Sequence, residues 1–246
     1  MQGKPLVAIL CGGRGTRLQE HTRELPKPLV EIGGLPILWH VIQLYAAQGF
    51  ERFVLATGYR GESIERFVAA HDWPGGVELS CIDTGPDTPT GGRLKQLEPL
   101  LGEEQFCLTY ADGLADIDLE ALLEFHEEHG ALATMTVVRP ELQFGVTELD
   151  IEDGRVLGFR EKPRSEHWIN GGFFCMQPGA LSYLEHDSVL ERHPLERLAS
   201  EGQLHAYRHD SFWQCMDTYK DAVALNDLWS SGTAPWAGVR SPAQNP

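Results

Sequence analysis

The sequence predicts an α/β fold, a mostly parallel sheet with helices on both faces. Two observations carry that expectation. Short apolar runs alternate with segments of helical period through the first half, and a glycine-rich turn directly follows the first run. Such alternation gives a parallel sheet, because each crossover helix returns the chain to the same sheet edge. The 246 residues fit one large domain, or a domain with a small appendage.

Taken in order, the strand candidates of the first half are Leu6–Leu10, 53–57, 77–82, Phe106–Tyr110 and Ala133–Val138, each a short run rich in apolar residues. Between them Ile37, Leu38, Val41, Ile42 and Tyr45 recur at helical spacing, as do Ile64, Phe67 and Val68. Leu119, Leu122 and Leu123 mark a further helix with acidic residues on its other side. The second half is less regular. Residues 144–149 and 155–159 read as a hairpin with a turn at Asp153-Gly154. Residues 168–176 form a strand, helices follow near 179–184 and 195–200, then a strand at Leu204–Arg208 and a helix over 219–229. Residues 237–246 read as a frayed tail.

Composition narrows the function. The chain is 42% hydrophobic and 23% charged, ordinary for a globular protein, with a formal net charge of −16. That balance argues against nucleic acid as a partner, since backbone binding relies on clustered Lys and Arg. It leaves room for a small nucleotide, which needs only a few local cations. Cys11, Cys81, Cys107, Cys175 and Cys215 are scattered with no C-x-x-C pair, the pattern of free thiols in a reducing compartment. No apolar stretch reaches the roughly 20 residues that span a bilayer, and the first apolar run leads straight into the glycine loop. The expectation is a cytoplasmic protein with no membrane partner. His126 and His129, three apart on a charged helix, read as a solvated face.

The stretch Leu10-Cys11-Gly12-Gly13-Arg14-Gly15-Thr16-Arg17-Leu18, with Lys27-Pro28 beyond it, carries the most chemistry. Crowded glycines let the backbone approach a bulky anion and offer N–H groups to phosphate oxygens. Arg17 and Lys27 add positive charge. A lone loop of this kind is more often only a turn. The G-x-x-x-x-G-K-[ST] and G-x-G-x-x-G patterns are both missing, so a P-loop kinase and an NAD dehydrogenase lose ground.

Four other places stand out. Asp83-Thr84-Gly85 and Thr88-Pro-Thr90-Gly91-Gly92-Arg93-Leu94-Lys95 close a strand and open a helix, where glycines would let a flat ring approach or simply make an N-cap and turn. Asp112 follows the strand Phe106–Tyr110, either holding Mg²⁺ or capping a turn. Asp217 sits among Phe212, Trp213, Cys215 and Met216, needing a cation or the N-terminus of the next helix. Glu161-Lys162 could meet a second phosphate and sugar hydroxyls together with Asn170; otherwise Lys162 is a loop residue and Gly171-Gly172 a bulge.

Together these segments resemble the sugar-1-phosphate nucleotidyltransferase family, whose opening signature is G-G-x-G-T-R-L…K-P. The resemblance runs from about Pro5 to Trp236. Thr90-Gly-Gly-Arg-Leu-Lys95, Asn170-Gly-Gly-Phe-Phe174, Phe212-Trp-Gln214 and Met216-Asp-Thr218 resemble its cytidylyl branch in particular. The resemblance implies a Rossmann-like sheet of the nucleotide-diphospho-sugar transferase type with a small hairpin portion for the sugar. It implies one domain over 1–236, with a nucleotide-binding half to about residue 140 and a sugar-phosphate half beyond. The implied reaction transfers a cytidylyl group from CTP to a sugar 1-phosphate, glucose 1-phosphate above all, in a homo-oligomer that uses Mg²⁺.

The implied nucleotide contacts are Leu10, Gly12, Gly13, Arg14, Gly15, Thr16, Arg17, Thr88, Gly91, Gly92, Arg93 and Ala111. Arg17, Lys27 and Lys162 would be catalytic, Asp112 and Asp217 would hold Mg²⁺, and Glu161, Lys162, Asn170 and Gly171 would bind the sugar phosphate. In-line attack by an oxygen that is already anionic needs no dedicated base, in keeping with the absence of a Ser-His-Asp or Cys-His arrangement. Three departures from the family pattern stand out: Ala111 in place of Gly, the bulky Arg14, and a short passage from Ala70 to Asp83. Other acceptors or nucleotides, and a non-catalytic nucleotide-binding subunit, are the alternatives.

Overall fold

Apolar runs with no polar face become central strands, because only a strand covered on both sides can bury every residue. The computed structural model describes residues 3–14 and 25–238. Among them, the first half contains β1 (Leu6–Leu10), β2 (Glu31–Ile32), β3 (Leu35–Pro36), α1 (Ile37–Ala46), β4 (Arg52–Thr57), α2 (Gly61–Ala70) and β5 (Glu78–Asp83). There follow α3 (Thr90–Gln96), α4 (Glu98–Leu101), β6 (Phe106–Tyr110), β7 (Gly113–Ala115), α5 (Leu119–His129) and β8 (Ala133–Val138). The second half adds β9 (Val146–Leu149), β10 (Val156–Arg160), β11 (Ile169–Met176), α6 (His193–Ser200), β12 (Leu204–Arg208), β13 (Trp213–Cys215) and α7 (Tyr219–Ser230).

Seven strands form one sheet in the order β12-β8-β11-β6-β1-β4-β5. Every neighbouring pair is parallel except those of β11, which runs antiparallel to both β6 and β8. The mostly parallel sheet expected from the sequence is therefore present, with one reversed strand. Side chains alternate between two cores. Val7, Ile9, Phe53, Leu55 and Cys107 face α1, α2, α5 and α7, while Ala8, Leu10, Val54, Ala56 and Leu108 face α3 and α6. Burial on both faces explains why these strands read as unbroken apolar runs.

The strand order reverses between β1 and β6. In open α/β sheets that crevice, at the carboxyl ends of the strands, is where ligands bind. Both the glycine loop after β1 and Tyr110-Ala111-Asp112 after β6 end there.

The hairpin β9–β10 is present, its loop spanning residues 150–155 with Gly154 at φ +74°. Two local expectations change. The segment near 179–184 is a 3₁₀ helix, Pro178–Tyr183. His126 is completely buried, not solvated. Its Nδ1 lies 2.8 Å from Thr134 Oγ1, and His129 Nε2 reaches the same hydroxyl at 2.7 Å. Helix α5 turns this edge toward β8 because His126 shares its face with Leu119, Leu122 and Leu123. The segment between α2 and β5 is sealed by Trp73, whose indole packs on Phe67 and donates to Val68 O at 3.0 Å.

Candidate active site

Lys27 begins the 3₁₀ turn Lys27–Leu29, where Pro28 and Leu29 are buried and anchor the backbone. Its ammonium points into the crevice, 2.6 Å from Asp112 Oδ2 and 2.8 Å from Asp217 Oδ1. Asp112 and Asp217 are brought together by a small antiparallel ribbon, β7 with β13. It pairs Gly113 with Cys215, and Met216 N–H donates to Asp112 O at 2.9 Å. A three-residue ribbon thus places two carboxylates on one ammonium.

The electrostatics follow. Burial alone would pull the Lys27 pKa down, but the charge of Asp112 and the hydrogen bonds to Asp112 and Asp217 outweigh it and hold the pKa above its ordinary value. Lys27 is therefore a fixed cation. Oxygen atoms of Asp112 and Asp217 and the Cys215 sulfur lie within 4.8 Å of one another. Burial, then the neighbouring Asp112, pushes the Cys215 thiol up, and its soft sulfur does not suit a hard cation. Two carboxylates converging on a cation is a donor set that suits a hard divalent ion. The residues fit Mg²⁺, and Lys27 is a cation on the same two carboxylates.

The cleft around these groups measures ≈ 380 Å³ and is lined by Leu10, Cys11, Gly12, Gly13, Lys27, Pro28, Thr88, Pro89, Thr90, Arg93, Tyr110, Ala111, Asp112 and Asp217. Among the described residues, nothing approaches the side of Gly13 where a Cβ would project. Gly12 is not: a Cβ there would lie 2.0 Å from Arg93 Nη1. Arg93 is 3% exposed, and its guanidinium donates to Thr57 O, Gly85 O and Gly12 O, each at 2.9 Å, and to Thr84 Oγ1 at 2.6 Å. Its fork is spent on protein, so it fixes the glycine loop against the Asp83–Gly85 turn instead of reaching outward. Arg14 links the same two segments at the surface, 2.8 Å from Asp87 and over the Tyr59 ring. Ala111 belongs to the α1-side core and is 3% exposed, which accommodates its extra methyl.

The other expected residues are placed as follows. Gly91 and Gly92 are absent from the lining. A Cβ on Gly91 would meet Ser188 at 2.8 Å, and one on Gly92 would meet His186 O at 2.1 Å. These glycines admit the 186–190 segment at close range. Asp217 does not cap α7. Thr218 does, in a capping box with Asp221. Glu161 and Lys162 follow β10, are exposed, and line neither this cleft nor its larger neighbour, and Lys162 adopts φ +44°. Asn170 stands closer, donating to Tyr110 OH at 3.4 Å, and Gly171 O accepts from Trp213 Nε1 at 2.7 Å. Gly172, at φ +83°, makes the bulge where β11 shifts register. Gly15, Thr16 and Arg17 lie outside the described residues.

The larger cleft, ≈ 1060 Å³, shares Asp217 and is lined in part by Arg139, Gln143, Arg164, Trp213 and Lys220. Arg139 and Arg164 both lie 3.3 Å from Asp210 Oδ1. Sequence reasoning did not single these cations out, because nothing in their spacing marks them; β8, the 163–165 segment and α7 bring them together only in space.

A switch-point crevice with a glycine loop, a buried lysine and two converging carboxylates defines a phosphate-handling α/β enzyme site. Residues 6–227 match the family model described as nucleotidyl transferase, and the chain belongs to that family. Among its relatives is a probable glucose-1-phosphate cytidylyltransferase of Bacillus subtilis (strain 168), 41% identical over 251 residues that cover 94% of this chain and 98% of the relative. The glucose-1-phosphate cytidylyltransferase of Salmonella typhi is 41% identical over 253 residues, with the same coverage of both chains. Both aligned lengths exceed the chain's own 246 residues, so these relatives carry residues that it lacks. The crystal structure of HddC from Yersinia pseudotuberculosis shares the fold, with a TM-score of 0.73 at 22% identity over 92% of this chain and 100% of that one. Among the described residues no helix is long and apolar enough to cross a membrane.

Proposed function

We propose that the protein transfers the cytidylyl group of CTP to a sugar 1-phosphate, with glucose 1-phosphate as the acceptor, forming a CDP-sugar and pyrophosphate. The observation that carries this reading is the meeting of Gly13, Lys27, Asp112 and Asp217 in one cleft at the ends of β1 and β6. The two cytidylyltransferase relatives, matched over nearly their whole length, favour CTP and glucose 1-phosphate over other members of the family.

The triphosphate would lie along the glycine loop at Gly12 and Gly13, with Arg17 adding positive charge. Lys27 would neutralise charge at the α-phosphate as an oxygen of the sugar phosphate attacks in line and pyrophosphate departs. The attacking oxygen is already anionic near neutral pH, so the protein supplies position and charge rather than a base. Asp112 and Asp217 would hold Mg²⁺, which when bound neutralises and orients the triphosphate. The acceptor would approach through the larger cleft that shares Asp217, with Arg139, Arg164 and Lys220 in reach of its anionic groups. Lys162 and Glu161 would join it from the end of β10, and Asn170 and Gly171 would stand beside the hexose.

A homo-oligomer is part of this reading. Phe144, Leu149, Ile151, Leu157 and Phe159 are exposed on and beside the β9–β10 hairpin, and Ile151 is 96% exposed, a patch that fits cover by a second copy. The free thiols at Cys11, Cys107 and Cys175 suit a reducing cytoplasm. A pyrophosphate-release screen of CTP, UTP, GTP and dTTP against a panel of sugar phosphates tests the proposal. CTP with glucose 1-phosphate should lead the panel. Activity with UTP or dTTP and none with CTP overturns the cytidylyl assignment.

A further inference from the structure

We propose that Glu191 is a positioning residue that fixes the spacing between the two walls of the nucleotide cleft. It rests on the reading of that cleft as the CTP site. Glu191 stands in the segment between the 3₁₀ helix Pro178–Tyr183 and α6, and it lines neither cleft. Its two carboxylate oxygens are divided between opposite walls. Oε2 accepts from Thr90 Oγ1 at 2.7 Å, and Oε1 accepts a short hydrogen bond from the Tyr110 hydroxyl. Thr90 is the first residue of α3, next to Thr88 and Pro89. Tyr110 ends β6, two residues before Asp112.

The backbone around Glu191 is locked onto the same helix. Leu190 N–H donates to Thr90 Oγ1 at 2.9 Å, and Gly92 N–H donates to Ser188 O at 3.0 Å. The paired glycines of α3 exist for this approach, since side chains at 91 or 92 would strike Ser188 or His186. The motif that the sequence offers as a base contact is thus half of a clamp, and Glu191 is its polar end.

Donor and acceptor chemistry sets the direction of the whole chain of bonds. An ionised carboxylate only accepts, so both hydroxyls must donate to it. The Tyr110 oxygen is then left to accept, and it does so from Asn170 Nδ2 at 3.4 Å. That orients the Asn170 amide, whose Oδ1 accepts from Gly172 N–H at 2.8 Å. One carboxylate therefore spans from the start of α3 to the bulge of β11. Without it two hydroxyls lose their acceptor and Tyr110 loses its side-chain tie to α3, while Arg93 still holds α3 to the glycine loop, so the Tyr110 wall alone is released.

The test measures CTP binding by calorimetry in the presence of Mg²⁺, alongside thermal unfolding and steady-state kinetics with glucose 1-phosphate. Glu191→Ala should weaken CTP binding about tenfold, the scale of one lost hydrogen bond to a charged group, and raise KM for CTP more than it lowers kcat. Glu191→Gln, which keeps one acceptor oxygen, should recover part of the loss. Thr90→Val should weaken CTP in the same direction, and adding it to Glu191→Ala should cost less than a further twofold, because one bond is then already gone. If Glu191→Ala fails to fold, Glu191→Gln and Thr90→Val carry the same reading. CTP affinity within twofold of wild type in Glu191→Ala, or in both of those variants, overturns the inference, as do effects of Thr90→Val and Glu191→Ala that multiply. A residue that only supports the fold would lower the unfolding temperature and leave KM alone. Wild-type protein that takes up no CTP removes the nucleotide reading, and this inference with it, and its isotherm distinguishes that failure from the first.

Discussion

Lys27 Nζ lies 2.8 Å from Asp217 Oδ1 although 190 residues separate them, and the same ammonium lies 2.6 Å from Asp112 Oδ2. One ammonium therefore bridges both proposed metal ligands. A divalent ion held by Asp112 and Asp217 would compete with Lys27 for the same carboxylates. Lys27→Met should cut turnover by at least about a hundredfold. It should also tighten Mn²⁺ binding to the nucleotide-free protein, read by electron paramagnetic resonance, because both carboxylates lose the competing Lys27 ammonium. Weaker Mn²⁺ binding in that variant would show that Lys27 organises the carboxylates rather than competing for them.

Asp112→Asn and Asp217→Asn should each lower Mg²⁺-dependent turnover by about a hundredfold or more. The fold should survive, since both residues sit on the rim and neither caps a helix; Thr218 and Asp221 close the start of α7. Kinetics together with circular dichroism check this. Near-normal turnover in either variant removes that residue from the metal site.

Arg93→Met should destabilise the protein by about 3 kcal/mol, because it strips several buried carbonyls of a charged donor in one step. The glycine loop should loosen as well, since Arg93 holds Gly12 O at 2.9 Å. Chemical denaturation measures the first effect and the KM for CTP the second. Arg93→Lys should not rescue it, because a point charge cannot reproduce a fork that meets Thr57, Gly85 and Gly12 together.

His126 gives the chain an acid-sensitive core. Burial first, then the facing His129 and His205, lowers its pKa to about 4 from an ordinary 6.5. A depressed histidine pKa means that the unfolded chain takes up the proton first. Stability should therefore fall as pH drops from about 6.5 to about 4, by about 3 kcal/mol from this residue. Urea unfolding across that range measures it, and His126→Gln should flatten the slope. An unchanged slope in the variant assigns the acid sensitivity to other groups.

How much of this could be read from the chain depends on the distance over which each feature is decided. The strands β1, β6 and β8 and the helix α1 were legible because burial on a strand or a helical stripe is a local pattern. The glycine loop, Lys27, Asp112 and Asp217 stood out as chemical types at the ends of such elements. The two-residue strands β2 and β3 and the ribbon of β7 with β13 left no period to detect, yet that ribbon is what aligns the two carboxylates. The packing of Gly91-Gly92 on the 186–190 segment could not be read, because a glycine that admits a protein segment has the same sequence as one that admits a base. Burial of His126 was hidden for a related reason: a charged helix can turn one polar edge inward when Thr134 and Gln177 meet its ring nitrogens.

The central claim is that this cleft joins CTP to a sugar 1-phosphate. The most direct measurement incubates the protein with CTP, glucose 1-phosphate and Mg²⁺ and follows the phosphorus resonances of both substrates and products. CDP-glucose and pyrophosphate should appear in equal amounts with wild-type protein, and at least about a hundredfold more slowly with Asp217→Asn. Loss of CTP without a CDP-sugar, or undiminished product from the Asp217 variant, would contradict the claim.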